Sequence, residues 1–396
     1  MTPRRPAGGR AVLVLNAGSS TLKASLVRPG IERPIGSLTE TWSGEGGRRE
    51  AATVDRVLAR LGLAEGRVGS RRQLAAVGHR VVHGGETFRS PVLVDDAALA
   101  AIAGLDGLAP LHNPVAVATI RAARERLPSL AHIACFDTAF HATMPEAAMR
   151  YPVPGRWQSE WGIRRYGFHG LSVQWSVERA AALLRRRASG LRLVVAHLGA
   201  GCSVTAVDRG RSVWTSMGYT PLEGLMMATR AGSIDPGVLV RLLRERRLGL
   251  DELDDTLERR SGLHAVGGTA DMRELESVAR GAPGPRRDAA GLAIDMFVDR
   301  SAAAIAAATT RLPVLDAIVF TGGIGENAAR VRARIVRRLA VLGVAPIEAR
   351  AAARDRALGS PGARPAVLRV EAREDLVIAA AAVGLTAGRR SVGAAS

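Results

Sequence analysis

The stretch VLVLNAGSSTLKASLVR, residues 12–28, constrains this chain most, because two apolar runs are parted by only a few small hydroxyl and glycine residues. Val12 to Leu15 and Leu22 to Val27 read as strands joined by a tight turn through Ala17, Gly18 and Ser19. Such a turn can present backbone N–H groups and the hydroxyls of Ser19, Ser20 and Thr21 to one anion; an ordinary hairpin with a polar turn is the other reading of this stretch alone. Lys23 closes it and is the only lysine in the protein, every other member of the Lys and Arg set being arginine. A compact ammonium and a planar guanidinium are not interchangeable near phosphate.

At 396 residues the chain is too long for one typical core, so two domains are expected. Apolar residues make up 47% of it, yet no run is long enough to span a bilayer. The apolar run after MTPRRPAGGR is too short for a signal-peptide core, and the two cysteines, Cys135 and Cys202, lie far apart. The expectation is therefore a cytoplasmic protein with reduced thiols. A net charge of +18 raises nucleic acid as a partner. The arginines are spread through helices such as 181–188 and 330–338, and aromatics are only 4% of the chain, which argues against that partner and for anionic small substrates.

Residues 30–50 read as polar and glycine-rich, a loop or an irregular edge, followed by a helix near 51–61 and a buried strand from Leu74 to His83. Asp95 and Asp96 cap a short alanine-rich helix, and Asn113-Pro114 starts a longer one. Ile133 to Phe136 is another strand, with Asp137 just past its end, where ligand groups cluster in α/β sheets. Two prolines and a glycine in MRYPVPGRW place a domain break near 150–157. Residues 191–216 then repeat the opening pattern of strand, glycine turn and strand, which points to duplication with nucleotide held in a cleft between halves. Asp235-Pro236 and Asp271 open further helices, 288–312 is a long alanine-rich one, and the strand at 316–320 runs into TGGIGEN, a strand, glycine loop and helix start suited to nucleotide. The last helix starts at Glu374 and runs to about 386, leaving GRRSVGAAS as a frayed tail.

Taken together, VLVLNAGSSTLK, GHRVVHGGE, LAPLHNP, CFDTAFHATMP, RRYGFHG, HLGAGCS, TSMGYTPLEGLMMATR, IDPG, DMR, FTGGIGEN and the EDL near 374 resemble the acetate kinase family of acyl-phosphate-forming kinases. The resemblance implies an α/β, duplicated actin/Hsp70/sugar-kinase-like (ribonuclease H-like) fold. It implies an acyl and phosphate side over residues 1–153, a nucleotide-binding domain over 154–373, and a C-terminal helix, 374–396, returning to the first domain. It implies reversible transfer of the γ-phosphoryl of ATP to acetate, with Mg2+ or Mn2+, in a homodimer held through the second domain. By the same resemblance Arg80 and Arg230 flank the acyl and phosphoryl groups, His169 hydrogen-bonds the phosphoryl in flight, and His112 is a second histidine candidate. Asp137 and Glu374 form an acidic pair, with Glu374 and Asn16 nearest the metal. Asn16, Ser19, Thr21, Lys23, His197, Gly199 and Gly201 are placed at the phosphates, and Asp271, Arg273, Gly323 and Gly325 at the adenosine. Val82, Leu111, Phe168 and Pro221 are the apolar acyl pocket, which favours a short acid without separating acetate from propionate. An ordinary surface arginine or structural histidine is the alternative for each of these residues taken alone.

The chain also departs from the family pattern. Ala200 and Cys202 replace an Asn and a Ser in the second glycine turn, Leu171 and Val173 replace a hydroxyl and a histidine, Ser233 replaces an acidic residue, and the stretch before Asp271 is one residue shorter. These changes make a propionate or butyrate kinase, an altered phosphoryl donor, or a regulatory nucleotide-binding paralogue the competing expectations, and they leave Cys202 two readings, a reactive thiol in an electropositive loop or the inert thiol usual for a small buried cysteine.

Overall fold

A computed structural model describes residues 9–18, 20–42, 49–63 and 73–393. Its packing separates two compact units, Met1–Phe140 with Arg373–Ser396, and His141–Ala372. The first contains β1 (Ala11–Ala17), β2 (Thr21–Val27), β3 (Gly36–Thr41), β4 (Leu74–Val81), β5 (Val92–Leu93) and β6 (Ala131–Phe136). They form one sheet in the order β3-β2-β1-β4-β6-β5. From β1, the strands β2 and β3 meander away antiparallel, whereas β4 and β6 run parallel to it and β5 closes the edge antiparallel.

The central strands are apolar because helices cover both faces of this sheet. Val77 packs with Leu13, Leu15, Val54, Val57, Val115 and Ala123, a core shared with helices Arg49–Arg60 and Asn113–Arg126. Its neighbour Gly78 points to the opposite face, since side chains alternate along a strand. There helix Glu374–Gly393 lies on β4, β1 and β6, so close that a Cβ at Gly78 would sit 2.4 Å from Ile378 Cγ2. The last helix thus starts at the carboxyl end of the strands that carry Arg80 and Asn16.

The second unit contains β7 (Arg192–Leu198), β8 (Cys202–Asp208), β9 (Arg211–Thr215), β10 (Ala317–Thr321), β11 (Arg356–Ala357) and β12 (Ala366–Arg369), in the order β11-β12-β10-β7-β8-β9. Read from the meander inward, this is the order of the first sheet, with the same senses: β7, β10 and β12 are parallel and the rest antiparallel. The fold is a duplicated α/β architecture. Helix Pro285–Thr309 covers β7 and β8, burying Ala290, Ala293, Ile294, Phe297, Val298 and Ile305 at helical spacing, and helix Gly170–Leu184 covers β7 and β10.

One open reading is settled and two expectations change. Residues 36–41 take the edge reading and form the edge strand β3, with alternating half-buried and exposed side chains and few apolar groups. The division between units falls at Phe140/His141, before the prolines at 152 and 154. His141 is hydrogen-bonded to Ser212 Oγ at 2.9 Å, Thr143 Oγ1 donates to Ser212 O at 2.9 Å, and the Tyr151 hydroxyl donates to Glu223, so residues 141–153 are claimed by the second unit. The C-terminal helix continues to Gly393 instead of fraying after 387. Ser19 lies outside the described residues.

The Gly78 contact makes a prediction. Gly78→Ala overpacks the helix against β4 and should cost about 1–3 kcal/mol, read as a lower urea midpoint with an unchanged slope. An unchanged midpoint would mean that the last helix docks less tightly than the geometry implies.

Candidate active site

In the first unit the register of three parallel strands sets the site. Asn16 on β1 is the partner of Arg80 on β4, Arg80 is the partner of Cys135 on β6, and Asp137 follows β6 directly. Arg80 meets Asp137 in a two-pronged pair, Nε to Oδ1 at 3.0 Å and Nη2 to Oδ2 at 2.5 Å. Its third prong, Nη1, donates to Asn16 Oδ1 at 3.1 Å, and Glu374 Oε2 lies 3.7 Å from Nε. Asn16 Nδ2 donates to Glu374 Oε2 at 3.2 Å. The amide orientation is chemically fixed, because a guanidinium only donates and a carboxylate only accepts.

Burial works against the charge of Arg80, but Asp137 and Glu374 outweigh it and raise its pKa above the usual arginine value. Glu374 is shifted above the ordinary carboxylate range, by burial first; Arg80 and Lys23 oppose this and Asp137 adds to it. Both oxygens of Asp137 and the Asn16 oxygen are taken by Arg80, which leaves Glu374 Oε1 as the carboxylate oxygen making no hydrogen bond among the described residues. Among those residues no group of three His, Cys, Asp or Glu is poised to hold a metal unaided. Hard oxygen donors in small number, with the remaining ligands supplied by phosphate and water, are what Mg2+ takes, so the residues fit that ion.

The β1–β2 turn is tied by Gly18 N to Thr21 O at 2.8 Å and by Trp42 Nε1 to Gly18 O at 2.9 Å. Thr21 is half-buried there, and Lys23, the register partner of Asn16, is exposed. Of the acyl candidates, Val82 and Leu111 belong to this unit and Phe168 and Pro221 to the other. Asn113 exchanges two 3.1 Å hydrogen bonds with the backbone of His83, which joins the segments that carry Val82 and Leu111. His112 is the N-cap residue of helix Asn113–Arg126.

In the second unit His169, Gly201 and Arg230 meet around the β7–β8 turn. His169 precedes helix Gly170–Leu184 in the left-handed region, at φ 59°, an uncommon conformation for a residue with a side chain. Its Nδ1 is hydrogen-bonded to Ser203 Oγ at 3.0 Å, and its ring stacks on His197 at 4.1 Å between centroids. His197 Nδ1 is bonded in turn to Ser172 Oγ at 2.8 Å. A Cβ at Gly201 would lie 3.1 Å from His169 Nε2 and 3.7 Å from Arg230 Nη1, so glycine lets both groups approach the turn. Gly199 N donates to Gly201 O at 3.0 Å and closes it. Arg230 Nε donates to Glu258 Oε2 at 2.6 Å.

After β10, Gly322 adopts φ 76°, and a Cβ there would stand 2.8 Å from Leu198 O. Gly323 faces open space, while the Gly325 carbonyl accepts from the buried Arg332 at 2.8 Å. Burial lowers Arg332 to about 10. Asp271 caps helix Met272–Val278 and pairs with Arg273 through both oxygens, and that partner pushes its carboxyl down to about 2. Of its two readings Cys202 takes the inert one: it is fully buried, its Sγ donates to Gly199 O, and burial pushes its pKa up to about 12. Ser172, Ser203 and Asn113 sit in the motifs HGLSV, HLGAGCS and LHNP without a role readable from them. Glu258 and Arg332 lie outside any motif and had no signal.

The profile described as Acetokinase family matches residues 11–380. The chain is 44% identical to an acetate kinase of Deinococcus radiodurans, over 95% of this chain and 98% of that protein. It is 47% identical to one of Deinococcus deserti, over 84% and 86%. Among solved structures, a propionate kinase from Francisella tularensis superposes with a TM-score of 0.84 at 34% identity, over 94% of this chain and 98% of that one. Porphyromonas gingivalis acetate kinase superposes with a TM-score of 0.85 at 30% identity, over 95% and 99%.

Beside Arg80 lies a buried histidine pair with a consequence for pH. His132 Nε2 donates to Leu127 O at 3.2 Å, so its Nδ1 accepts from His79 Nε2 at 3.0 Å. Burial lowers His132 to about 4 and His79 well below its usual value. An unfolded histidine takes its proton near pH 6.5, so between about pH 6.5 and 4 the unfolded chain binds more protons and stability falls as pH falls. His132 alone accounts for a loss on the order of 3 kcal/mol across that window. Urea titrations at pH 7 and pH 5 should show this fall, and His132→Gln, which keeps a donor and an acceptor without titrating, should flatten it. Parallel pH slopes in the two proteins would refute the assignment.

Proposed function

The chain belongs to the acetokinase family, and we propose from that membership that it transfers the γ-phosphoryl group of ATP to the carboxylate of acetate, giving acetyl phosphate and ADP. The observation that carries the site assignment is Arg80, paired by two prongs to Asp137 and by the third to Asn16 at the carboxyl ends of three parallel strands.

Acetate is ionised at neutral pH and is already a nucleophile, so no general base is required. The obstacle is repulsion between that anion and the phosphates, and the protein's work is alignment plus positive charge. Arg80, with its orientation set by Asp137, steadies the acceptor carboxylate, and Val82, Leu111, Phe168 and Pro221 are the apolar side chains assigned to the acyl group. Arg230 and His169 bear charge developing on the transferring phosphoryl, Lys23 and Thr21 hold phosphate oxygens with the β1–β2 turn, and Ser19 belongs to that turn by sequence. His197, Gly199 and Gly201 give the second turn its close backbone approach. Asp271 and Arg273 flank the adenosine, with Gly323 and Gly325 against the base. Glu374 through Oε1, and Asn16 through the lone pair of its oxygen that Arg80 does not use, are the residues that would hold Mg2+ or Mn2+. When bound, that ion neutralises charge on the β- and γ-phosphates.

The protein is further assigned to the cytoplasm, in keeping with two buried, unlinked cysteines and with no described helix long and apolar enough to cross a membrane. A homodimer formed through the second unit is supported by helix Pro236–Arg244, which buries none of its residues and exposes Val238 and Val240. Sedimentation equilibrium should return twice the chain mass; a monomer at micromolar concentration would remove the dimer.

The deciding experiment is hydroxamate trapping of acyl phosphate with ATP, magnesium and acetate, propionate or butyrate in parallel. Acetate should give product, and Arg80→Ala or Arg230→Ala should lower turnover by at least about 100-fold, as loss of a preorganised charge donor does. Normal ATP binding without product from any acid would end the kinase reading, and full turnover in either variant would end the role given to that arginine.

A further inference from the structure

Arg230 has a carboxylate partner whose electrostatics oppose the task given to that arginine. Glu258 lies near the end of helix Leu250–Arg259, and its side chain is 13% exposed against 19% for Arg230. A negative charge 2.6 Å from a phosphoryl-binding guanidinium weakens its pull on an anion, so the carboxylate gains nothing for binding as a charge. As an anchor it gains a great deal. An arginine side chain carries about 2 kcal/mol of rotamer entropy, and a bond to Nε removes much of it before the ligand arrives.

The geometry points to Glu258 as the positioning residue for Arg230, an inference that rests on the phosphoryl-side role proposed above. Only Nε is engaged; among the described residues neither Nη group makes a hydrogen bond. Nη1 is turned to the β7–β8 turn, 3.7 Å from where a Cβ would stand at Gly201, and His169 Nε2 is 3.1 Å from the same point. The fork is thus held from behind, its two-nitrogen edge directed to the side where His169 also points. The anchor itself cannot drift, because the backbone on both sides of Arg230 is sewn to the helix end. Thr229 Oγ1 donates to Glu258 O at 2.9 Å, Ala231 N to Leu257 O at 3.1 Å, and Ser261 N to Thr229 O at 2.9 Å. These bonds use backbone and hydroxyl groups, so replacing the Glu258 carboxylate leaves them in place.

Two variants separate anchoring from charge. Glu258→Ala removes the acceptor and should lower kcat about 10- to 100-fold, the usual cost of losing a partner behind an active group, with KM for ATP little changed. Glu258→Gln keeps an acceptor oxygen and removes the charge, and should retain most of the turnover. A second readout is independent of activity. In unliganded protein labelled with 15N-arginine, the Arg230 Nε–H resonance, assigned by its loss in Arg230→Lys, should exchange slowly. It should persist in Glu258→Gln and vanish in Glu258→Ala, while thermal unfolding confirms that both variants are folded. Wild-type kcat in Glu258→Ala, an equal loss in both variants, or a resonance indifferent to Glu258→Ala would each overturn the inference. If the wild type made no acyl phosphate, the kinase reading would fall, and the resonance would still decide whether Glu258 holds Arg230.

Discussion

The first unit's candidate site depends on keeping a guanidinium on a strand whose neighbours are apolar. Val77 and Val81 are fully buried, and an ion among them without a partner costs several kcal/mol. Asp137 answers that cost with two parallel N–H to oxygen bonds, and in doing so fixes the plane of the Arg80 fork. The partner that makes burial tolerable is therefore also what orients the charge, and stability and function cannot be assigned to different atoms here. The pairing is possible because β1, β4 and β6 are parallel and in register, so that Asn16, Arg80 and Asp137 emerge at the same end of the sheet. Glu374 joins them because Gly78 lets the last helix lie flush on β4.

Duplication explains why two chemically different clusters stand on the same scaffold. Asn16 pairs in register with Lys23 across the first meander, and His197 pairs with Ser203 across the second. On the parallel side Asn16 meets Arg80, and His197 meets Thr321. The first sheet end is thus built of ions and an amide, and the second of imidazole, hydroxyls and glycine. Charge at the first suits an anionic acceptor and a metal; close backbone approach at the second suits a polyphosphate chain. The strands define positions, and the residues at those positions have diverged.

How much of this was legible in the sequence follows from which interactions are local. Strands β1, β4, β7 and β10 carry apolar runs that meet polar residues, Asn16, His79 with Arg80, His197 and Thr321, toward their carboxyl ends, and Asp95, Asp235 and Asp271 do cap the helices they precede. Asp137 stood out by its place just past an apolar strand, where ligand groups cluster, and Arg80 by the motif GHRVVHGGE that carries it. The edge strand β3 was legible only as a loop or an irregular edge, since an edge needs no continuous apolar run. The boundary at 140 escaped because prolines mark where the backbone turns, whereas the unit is decided by side-chain bonds from His141, Thr143 and Tyr151. Glu258 escaped for the same reason: its bond to Arg230 joins a helix to a loop 28 positions earlier, and nothing in LDELDDTLERR distinguishes that glutamate from its neighbours.

The departures from the family pattern take a different meaning once placed in three dimensions. Leu171 and Val173 face the core at 5% and 0% exposure, so the lost hydroxyl and histidine were exchanged for packing. Cys202 turns inward onto the Gly199 carbonyl, which leaves Ser203 as the hydroxyl that meets His169. Ser233 bonds Gly224 N through its hydroxyl and Gly224 O through its own N–H, closing its loop without an acidic side chain. Ala200 is the exception, because it is exposed and its carbonyl is taken by Ala228 N, so no side chain at this position replaces the missing amide. Four of the five substituted positions are thus compensated from within the fold. Ala200 alone among them is not, although it stands beside a turn at whose Gly201 His169 and Arg230 still converge.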